Sequence, residues 1–296
     1  MKNRSLYLRA ALALMLVTVI WGSGFIATEY AIASQMDASL IMALRFLIGA
    51  AVIGVVCRRK IARCSKGCIL SGSMAGVILF GAFYMQTVGQ SHTTVSNAAF
   101  ITATNVVMIP LIEWVLYRKR PGLKVLLMCL VTMGGILLLT VDFSGGLAFG
   151  TGDLLVLLCA FLFALQIVYV GHACKDYDPL AITFWQLLAA GVAGMVLFFI
   201  LRPEVTLQHV QQGILPVIYL AVFSTCVCYA LQTWAQQHVS PAQAGVILSM
   251  EGLFGTVFSL LLGLEALRWS MVVGGLLIMV AVVVMNVSDS GKDGAA

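Results

Sequence analysis

Residues 242–264 read AQAGVILSMEGLFGTVFSLLLGL and contain a single charged residue, Glu251, close to the middle. About 20 apolar residues cross the ~30 Å hydrocarbon core of a bilayer as a helix, so this stretch predicts a membrane-spanning helix. A carboxylate at the centre of such a helix raises the free energy of insertion, and ionisable groups there usually mark functional sites. The stretch therefore predicts a membrane fold with a polar site inside it.

Glu251 lies on a helix face of small residues. Steps of four residues lead from it to Gly255, Ser259 and Gly263, and residues four apart share one face of a helix. Membrane helices approach one another along faces of small residues. We therefore expect Glu251 to face the interior of a helix bundle and not the lipid.

The composition is that of a polytopic membrane protein. Hydrophobic residues make up 61% of the 296 residues and charged residues 10%, whereas soluble domains carry about 25% charged residues. Ten apolar segments fill nearly the whole chain and leave no room for a soluble domain. They are residues 10–33, 38–57, 68–89, 95–117, 125–141, 154–170, 180–201, 214–235, 242–264 and 269–287. The predicted fold is an all-α integral membrane protein with ten transmembrane helices.

The net charge of +5 is explained by orientation in the membrane. Of the 17 Lys and Arg residues, 14 fall on one side of a ten-helix arrangement, while Arg202 and Arg268 fall on the other and Arg45 lies within a helix. The 14 are Lys2, Arg4, Arg9, Arg58, Arg59, Lys60, Arg63, Lys66, Arg118, Lys119, Arg120, Lys124, Lys175 and Lys292. The positive-inside rule then puts both termini in the cytoplasm. The expected partners are the lipid bilayer and a small-molecule substrate, and no nucleic acid is expected.

The chain repeats itself at an offset of 146 residues. Residues 84–92 read YMQTVGQSH and residues 230–238 read ALQTWAQQH, with four identical polar positions. We therefore predict two five-helix units, residues 1–146 and residues 147–296. Because five is odd, the second unit has the opposite orientation in the membrane. Inverted repeats are typical of alternating-access transporters, which bind substrate near the midplane; a repeat kept only for packing is the alternative.

The same offset pairs Glu251 with Asn105. Each lies about ten residues from the start of its helix, or roughly 15 Å deep, so both reach the midplane from opposite faces. We expect this polar pair to bind substrate. Burial would favour the protonated form of Glu251 and let it carry a coupling proton. Because Asn105 is a neutral amide, only one half could carry a proton at this position.

Arg45 lies in the outer half of the second apolar segment, where a buried guanidinium needs acceptors. Two interpretations remain open: a pair with Glu29 near the outer interface, or a role in substrate binding. Glu113, near the cytoplasmic end of the fourth segment, is expected to reach towards Arg118 or Lys119.

Five further residues are candidates for the transport pathway. Trp21, Gln166 and Gln186 lie away from the membrane interfaces and are expected to line a substrate cavity. Gln86 and Gln232 lie near the ends of their segments, on opposite faces of the membrane in the ten-helix arrangement. We expect these two amides to act as gating or cavity-lining groups.

Catalytic motifs are missing from the sequence. It has no HExxH, no P-loop GxxxxGK[ST] and no Ser/His/Asp set at one depth. We therefore expect neither an enzyme nor a catalytic residue, no metal site, and no cofactor beyond a coupling proton. The alternative is a membrane-embedded enzyme or accessory protein acting on a lipid-linked substrate, which would need acid/base residues clustered at one depth.

Five short motifs lie at helix positions where one family of membrane proteins has its own. They are Trp21-Gly22-Ser23-Gly24-Phe25 in the first helix, Arg45-Phe46 in the second, Pro110 in the fourth, Gly134-Gly135-Ile136 in the fifth, and Gly263-Leu264-Glu265 ending the ninth. With the five-plus-five layout, they resemble the EamA-type exporters of the drug/metabolite transporter superfamily. The resemblance covers nearly the whole chain.

This resemblance implies a ten-helix secondary transporter, an exporter of small metabolites such as amino acids, nucleosides or drugs, in a bacterial inner membrane. It names no substrate. The chain also departs from the family pattern, because Gly252 stands where a proline often follows the residue matching Glu251. Lys119 stands at the position equivalent to Glu265, so a glutamate at this helix end is not required in both halves.

Overall fold

The computed structural model describes residues 2–93, 95–140, 150–263 and 266–287, and in this part of the chain all regular structure is helical. The α-helices are α1 Lys2–Ala33, α2 Ala38–Val56, α3 Arg58–Ile61, α4 Lys66–Gln90, α5 Val95–Ala103, α6 Asn105–Tyr117, α7 Leu123–Thr140, α8 Thr151–Asp176, α9 Pro179–Leu201, α10 Leu207–Tyr219, α11 Cys228–Ala235, α12 Pro241–Leu248, α13 Met250–Leu261 and α14 Trp269–Val287. A π-helix, Leu220–Val227, joins α10 to α11 and is called the π segment below. The predicted repeat boundary, Glu265 and Lys292 lie outside the described residues.

Seven helical stretches in the described chain are long and apolar enough to cross a membrane. They are Ser5–Ala33, Ala38–Val56, Lys66–Gln90, Phe100–Tyr117, Thr151–Asp176, Pro179–Leu201 and Leu207–Ala235. Two shorter apolar helices are Leu123–Leu138 and Trp269–Met285. The all-α architecture agrees with the sequence, while the count of ten spans and the cytoplasmic termini stay predictions.

Two of the predicted spans are each broken into consecutive helices. Helices α5 and α6 meet at Thr104, and α12 and α13 meet at Ser249. At both breaks a hydroxyl bonds to the backbone one turn back: Thr104 Oγ1 donates to the Ile101 carbonyl at 2.6 Å and Ser249 Oγ to the Val246 carbonyl at 2.7 Å. Short hydroxyl side chains compete with the backbone hydrogen bonds of a helix in this way.

These breaks correct one expectation. Residues 242–264 were expected to form one helix, which is wrong because the chain breaks at Ser249. Pro110 lies inside α6, and the break precedes it at Thr104. A proline removes one backbone hydrogen bond, and a membrane helix tolerates that loss when its neighbours compensate.

Two long helices begin at the same kind of N-cap. The Asp37 side chain accepts a hydrogen bond from the Ser39 amide at 2.8 Å and starts α2. The Asp178 side chain accepts one from the Leu180 amide at 2.9 Å and starts α9. A capping carboxylate satisfies amides that have no partner within the helix, so these aspartates fix where both helices start.

The helices pack as a bundle in which α1, α2, α4, α8 and α9 are central. Helix α4 packs on α8 and α9, and α2 packs on α9 and on the π segment. Helix α1 packs on α10, α11, α12 and α13, while α6 packs on α8. Helices α7 and α14 pack on each other.

The small-residue face expected around Glu251 is found in part. At the α1–α13 contact, a Cβ built on Gly22 would lie 2.7 Å from the Gly255 backbone nitrogen, so only glycine permits this approach. Gly263 lies beyond the end of α13, where it is exposed with φ +69°. The side chain of Ser259 is not among those described. The described part of the face therefore packs at Gly255 and is exposed at Gly263.

The contact between α7 and α14 supplies a matched test of packing. A Cβ on Gly135 would lie 2.7 Å from the Gly274 carbonyl oxygen, whereas one on Gly134 would meet no described atom within 4 Å. We expect Gly135→Ala to destabilise the protein by about 1–3 kcal/mol through overpacking, and Gly134→Ala to leave stability unchanged.

Thermal unfolding of both variants in detergent measures the difference. Equal unfolding temperatures for the two variants would contradict the close α7–α14 contact.

Candidate functional site

A cavity of about 50 Å³ lies where both halves of the chain meet. Its walls come from α1, α2, α4, α5, α6 and α8, and from the π segment, α11, α12 and α13. Such a volume holds only a few water molecules. A molecule larger than a few waters would therefore fit only if the walls moved apart.

Most residues that the sequence singled out line this cavity. They are Glu251, Asn105, Trp21, Gln166, Arg45, Gln86 and Gln232. Gln186 is not among the lining residues, but its Oε1 accepts a hydrogen bond from Nε2 of the lining residue Gln166 at 2.9 Å. Gln86 and Gln232 both line this cavity, while their position on opposite faces of the membrane stays a prediction.

Asn105 and Glu251 stand at the two helix breaks. Asn105 is the first residue of α6, and Glu251 lies in the first turn of α13. Within the described chain neither side chain has a hydrogen-bond or ion-pair partner. The positive end of a helix dipole stabilises a negative charge at this position. Both groups are therefore available to a molecule in the cavity, and Glu251 faces the interior as expected.

Arg45 is buried, at 2% exposure, against the π segment. Its Nε donates to Thr225 Oγ1 at 2.6 Å and its Nη2 to Ser224 Oγ at 3.2 Å. The guanidinium also lies over the ring of Phe83, 4.0 Å from the ring centre, which is a favourable cation–π distance. These contacts hold the cation at the cavity wall.

The pairing of Arg45 with Glu29, one of two interpretations of the sequence, is wrong. Glu29 lies on an exposed face of α1, and its carboxylate accepts a hydrogen bond from Gln90 Nε2 at 3.1 Å. Counting residues along α1 and α2 gives the depth of Glu29 and of Arg45, but not the direction in which each side chain points. Arg45 faces the cavity and Glu29 faces away from it.

The expected contact of Glu113 is confirmed for Lys119, whose Nζ lies 4.0 Å from the Glu113 carboxylate. His172 Nε2 approaches the same carboxylate at 3.8 Å, and the His172 ring stacks on Tyr117 with centroids 3.5 Å apart. This group ties the end of α6 to α8 and lies outside the cavity lining.

The π segment places functional groups that the sequence did not reveal. The Ser224 carbonyl accepts a hydrogen bond from Trp21 Nε1 at 2.8 Å, while the hydroxyls of Ser224 and Thr225 hold Arg45. π-Helical turns are frequent at functional sites, because the extra residue redirects side chains. Nothing in the apolar run marked these two hydroxyls as different from ordinary packing groups.

Aromatic rings form the apolar wall of the cavity. The rings of Phe83 and Phe163 meet edge to face with their centroids 4.8 Å apart. The ring centroids of Trp21 and Tyr229 are 5.5 Å apart. Tyr229 is fully buried, and its hydroxyl has no hydrogen-bond partner in the described chain. The sequence did not single out Tyr229, Phe83 or Phe163, since aromatic residues in membrane helices are usually packing residues.

The repeated motif supplies matching groups to the site. Gln86 and Gln232 both line the cavity. Gln90 donates to the Glu29 carboxylate on α1, and Gln236 Nε2 donates to a carbonyl of α8 at 2.8 Å. The first amide of each motif therefore faces the cavity, and the second bonds to a neighbouring helix.

The chemistry of the site is that of binding. The cavity presents one carboxylate, one guanidinium, several amides and an aromatic wall. Among the described residues, no group of three His, Cys, Asp or Glu side chains lies close enough to hold a metal ion. The site has groups that recognise a small polar molecule with an apolar body.

Comparisons with known proteins show which family the chain is similar to. The model of the EamA-like transporter family matches residues 8–141 and 150–287. An uncharacterized transporter of Archaeoglobus fulgidus is 32% identical over 284 residues, which cover 94% of this chain and 86% of the relative. An uncharacterized transporter of Methanothermobacter thermautotrophicus is 26% identical over 203 residues, or 67% of this chain and 58% of the relative. A solved crystal structure shares the fold with TM-score 0.78 at 17% identity, covering 97% of this chain and 99% of its own.

Proposed function

The chain belongs to the EamA-like transporter family and is therefore a multi-pass membrane transporter and not an enzyme; from that premise we propose that it exports small metabolites by alternating access. The observation that carries the proposal is the position of Asn105 and Glu251. They are 146 residues apart, stand at two helix breaks, and line one cavity. Discontinuous helices beside a central cavity are where secondary transporters bind substrate.

The proposed architecture is a pair of inverted five-helix units, residues 1–146 and 147–296. In this scheme α1 corresponds to α8, α2 to α9, α4 to the stretch from α10 to α11, the pair α5–α6 to the pair α12–α13, and α7 to α14. The helix contacts support it, because they come in corresponding pairs. The contact of α4 with α8 corresponds to that of α1 with α11, and the contact of α6 with α8 to that of α1 with α13. The α2–α9 and α7–α14 contacts correspond to themselves.

Two hydrogen bonds are proposed to close the cavity from opposite ends. Gln90 on α4 bonds to Glu29 on α1, and Gln236, just after α11, bonds to the Ile167 carbonyl on α8. These bonds correspond to each other under the pairing of helices. Inverted units would put one at the outer end and the other at the cytoplasmic end. Alternating access then requires one bond to break while the other stays.

Glu251 is proposed to contact the substrate or a coupling proton. Its carboxylate has no protein partner in the described chain, and the cavity that it lines is narrow. An uncompensated charge in such a place is costly, so protonation or a bound cation would stabilise it. Because its counterpart Asn105 is neutral, proton binding at this position would belong to the second unit alone.

Export is the proposed direction, supported by the resemblance of the motifs to those of exporters. We expect cells that contain the protein to hold less of its substrate inside and more outside than cells without it. Untargeted comparison of metabolites in cells and medium measures both pools. Accumulation of one metabolite inside the cells that contain the protein would instead indicate import.

A substitution of Glu251 tests the central site. We expect Glu251→Gln to lower metabolite flux into proteoliposomes by about tenfold or more, a loss of at least ~1.4 kcal/mol of transition-state stabilisation. The control is Glu204→Gln, at an exposed carboxylate between α9 and α10, which should transport normally. Unchanged flux that still responds to a pH gradient would exclude the proton role of Glu251.

The two closing bonds make a paired prediction. In a chain without its native cysteines, a cysteine placed at Ser249 in the cavity is labelled with a membrane-impermeant thiol reagent from each side. We expect Gln236→Leu to increase labelling from the cytoplasmic side, and Gln90→Leu to increase it from the outer side. The loss of one hydrogen bond should shift the ratio of molecules open to the cytoplasm and molecules open to the outside by about fivefold.

Gln208→Leu, at an exposed amide of α10, is the control for this labelling experiment. If Gln90→Leu and Gln236→Leu raise labelling from the same side, the two bonds do not close opposite ends.

A further inference from the structure

We infer that Arg45 and Tyr229 form an anion subsite of the cavity, and that the transported molecule carries a carboxylate which binds there. The inference rests on the proposed function, because it assigns a chemical class to the substrate of the same cavity. It starts from hydrogen-bonding groups that the protein leaves unused in a buried place.

Arg45 is a buried cation with no anionic partner in the part of the chain that the structure describes. The ion pairs among the described residues join Lys60 to Asp178 and Glu113 to Lys119 and His172, so none involves Arg45. A guanidinium has five N–H donors, and the hydroxyls of Ser224 and Thr225 use two of them. The remaining donors belong to a side chain that lines the cavity. A bound anion would compensate the desolvated charge through paired, charge-assisted hydrogen bonds.

Tyr229 offers a second donor beside it. Tyr229 lines the cavity, and its hydroxyl is buried and has no hydrogen-bond partner in the described chain. Buried polar groups in native proteins are nearly always satisfied, so such an exception calls for a partner. The Phe83 ring lies 4.0 Å from the Arg45 guanidinium and 6.2 Å from the Tyr229 ring. The guanidinium and the Tyr229 ring therefore both pack against the Phe83 ring.

The other polar groups of the cavity determine what the rest of the substrate can be. Glu251 is an acceptor when ionised, and Gln232 Oε1 is a buried acceptor with no partner in the described chain. These groups repel a second negative charge and suit a neutral or hydrogen-bond-donating end. The rings of Phe83 and Phe163 suit an apolar body between the two ends.

The same arrangement selects a carboxylate over a phosphate. One guanidinium and one neutral phenol match a single negative charge shared by two oxygen atoms. A phosphate monoester carries nearly two charges at neutral pH. It would bring the second charge into a narrow cavity that already holds the Glu251 carboxylate.

Binding to the purified full-length protein in detergent tests the inference. The probes are three acids, each paired with its neutral amide: phenylacetate, isovalerate and hippurate, with phenylacetamide, isovaleramide and hippuramide. We expect at least one acid to bind about tenfold tighter than its amide, measured by calorimetry and by the shift in unfolding temperature. Phenylphosphonate should bind more weakly than phenylacetate. If no acid binds better than its amide, or if phenylphosphonate binds best, the inference is overturned.

Variants assign the preference to the subsite. Arg45→Gln should bring the acid-to-amide affinity ratio close to one, and Tyr229→Phe should lower it several-fold. Arg59→Gln, at an exposed cation of α3, should leave the ratio unchanged. Where Arg45→Gln does not fold, Arg45→Lys takes its place, because lysine keeps the charge but lacks the planar guanidinium. This variant should elute as a single species and have a lower acid-to-amide affinity ratio. An unchanged ratio in Arg45→Lys and Tyr229→Phe would contradict the assignment.

Flux measurements separate this inference from the proposed function. If a solute without a carboxylate is transported and Glu251→Gln abolishes its flux, the transport proposal stands and the anion subsite falls. If acids bind through Arg45 but no solute crosses the membrane, the subsite stands and the transport proposal falls.

Discussion

A buried guanidinium that pairs with no carboxylate of the described residues is the constraint on which the central cavity depends. Arg45 on α2 reaches the hydroxyls of Ser224 and Thr225 on the π segment and lies over Phe83 on α4. Taking such a charge out of water is costly, and here two hydroxyls and one aromatic face offset only part of that cost. The Trp21 indole adds a bond to the Ser224 carbonyl, so α1 and α2 both meet the π segment beside a cation that a ring of α4 covers. The cavity exists where these helices meet.

Interrupted backbone lets polar groups reach this place. Straight helices packed through small residues would close the centre of the bundle, as the glycine contact of α1 with α13 does near Gly22 and Gly255. The breaks at Thr104 and Ser249 and the π segment each interrupt a regular helix beside the cavity. Irregular backbone at membrane depth is tolerated only where protein or a polar cavity satisfies its groups. The three irregularities and the cavity therefore depend on one another.

Charged and amide side chains of the site could be predicted from the sequence because they stand out in apolar segments. Glu251, Asn105, Arg45 and Gln166 were found in this way, and the repeat linked the first two. The direction in which each side chain points could not be predicted, so the Arg45–Glu29 pair was wrong. The sequence did not point to Tyr229, Ser224 and Thr225. A buried aromatic ring or hydroxyl looks the same in a sequence whether it packs in a core or lines a binding site. Their place at the cavity becomes clear from hydrogen bonds that are shared or unsatisfied, and only the structure shows these.

The two halves contribute opposite charges to one cavity. Arg45 and Gln186 each lie eight residues beyond the N-cap aspartates of α2 and α9, and Asn105 and Glu251 lie 146 residues apart at the helix breaks. In each of these two pairs one half has a charge and the other has an amide, with the cation in the first half and the carboxylate in the second. A molecule that touches both charges therefore touches both halves. Its binding free energy then depends on how the halves are positioned relative to each other, and a ligand can shift a conformational equilibrium only through such a difference.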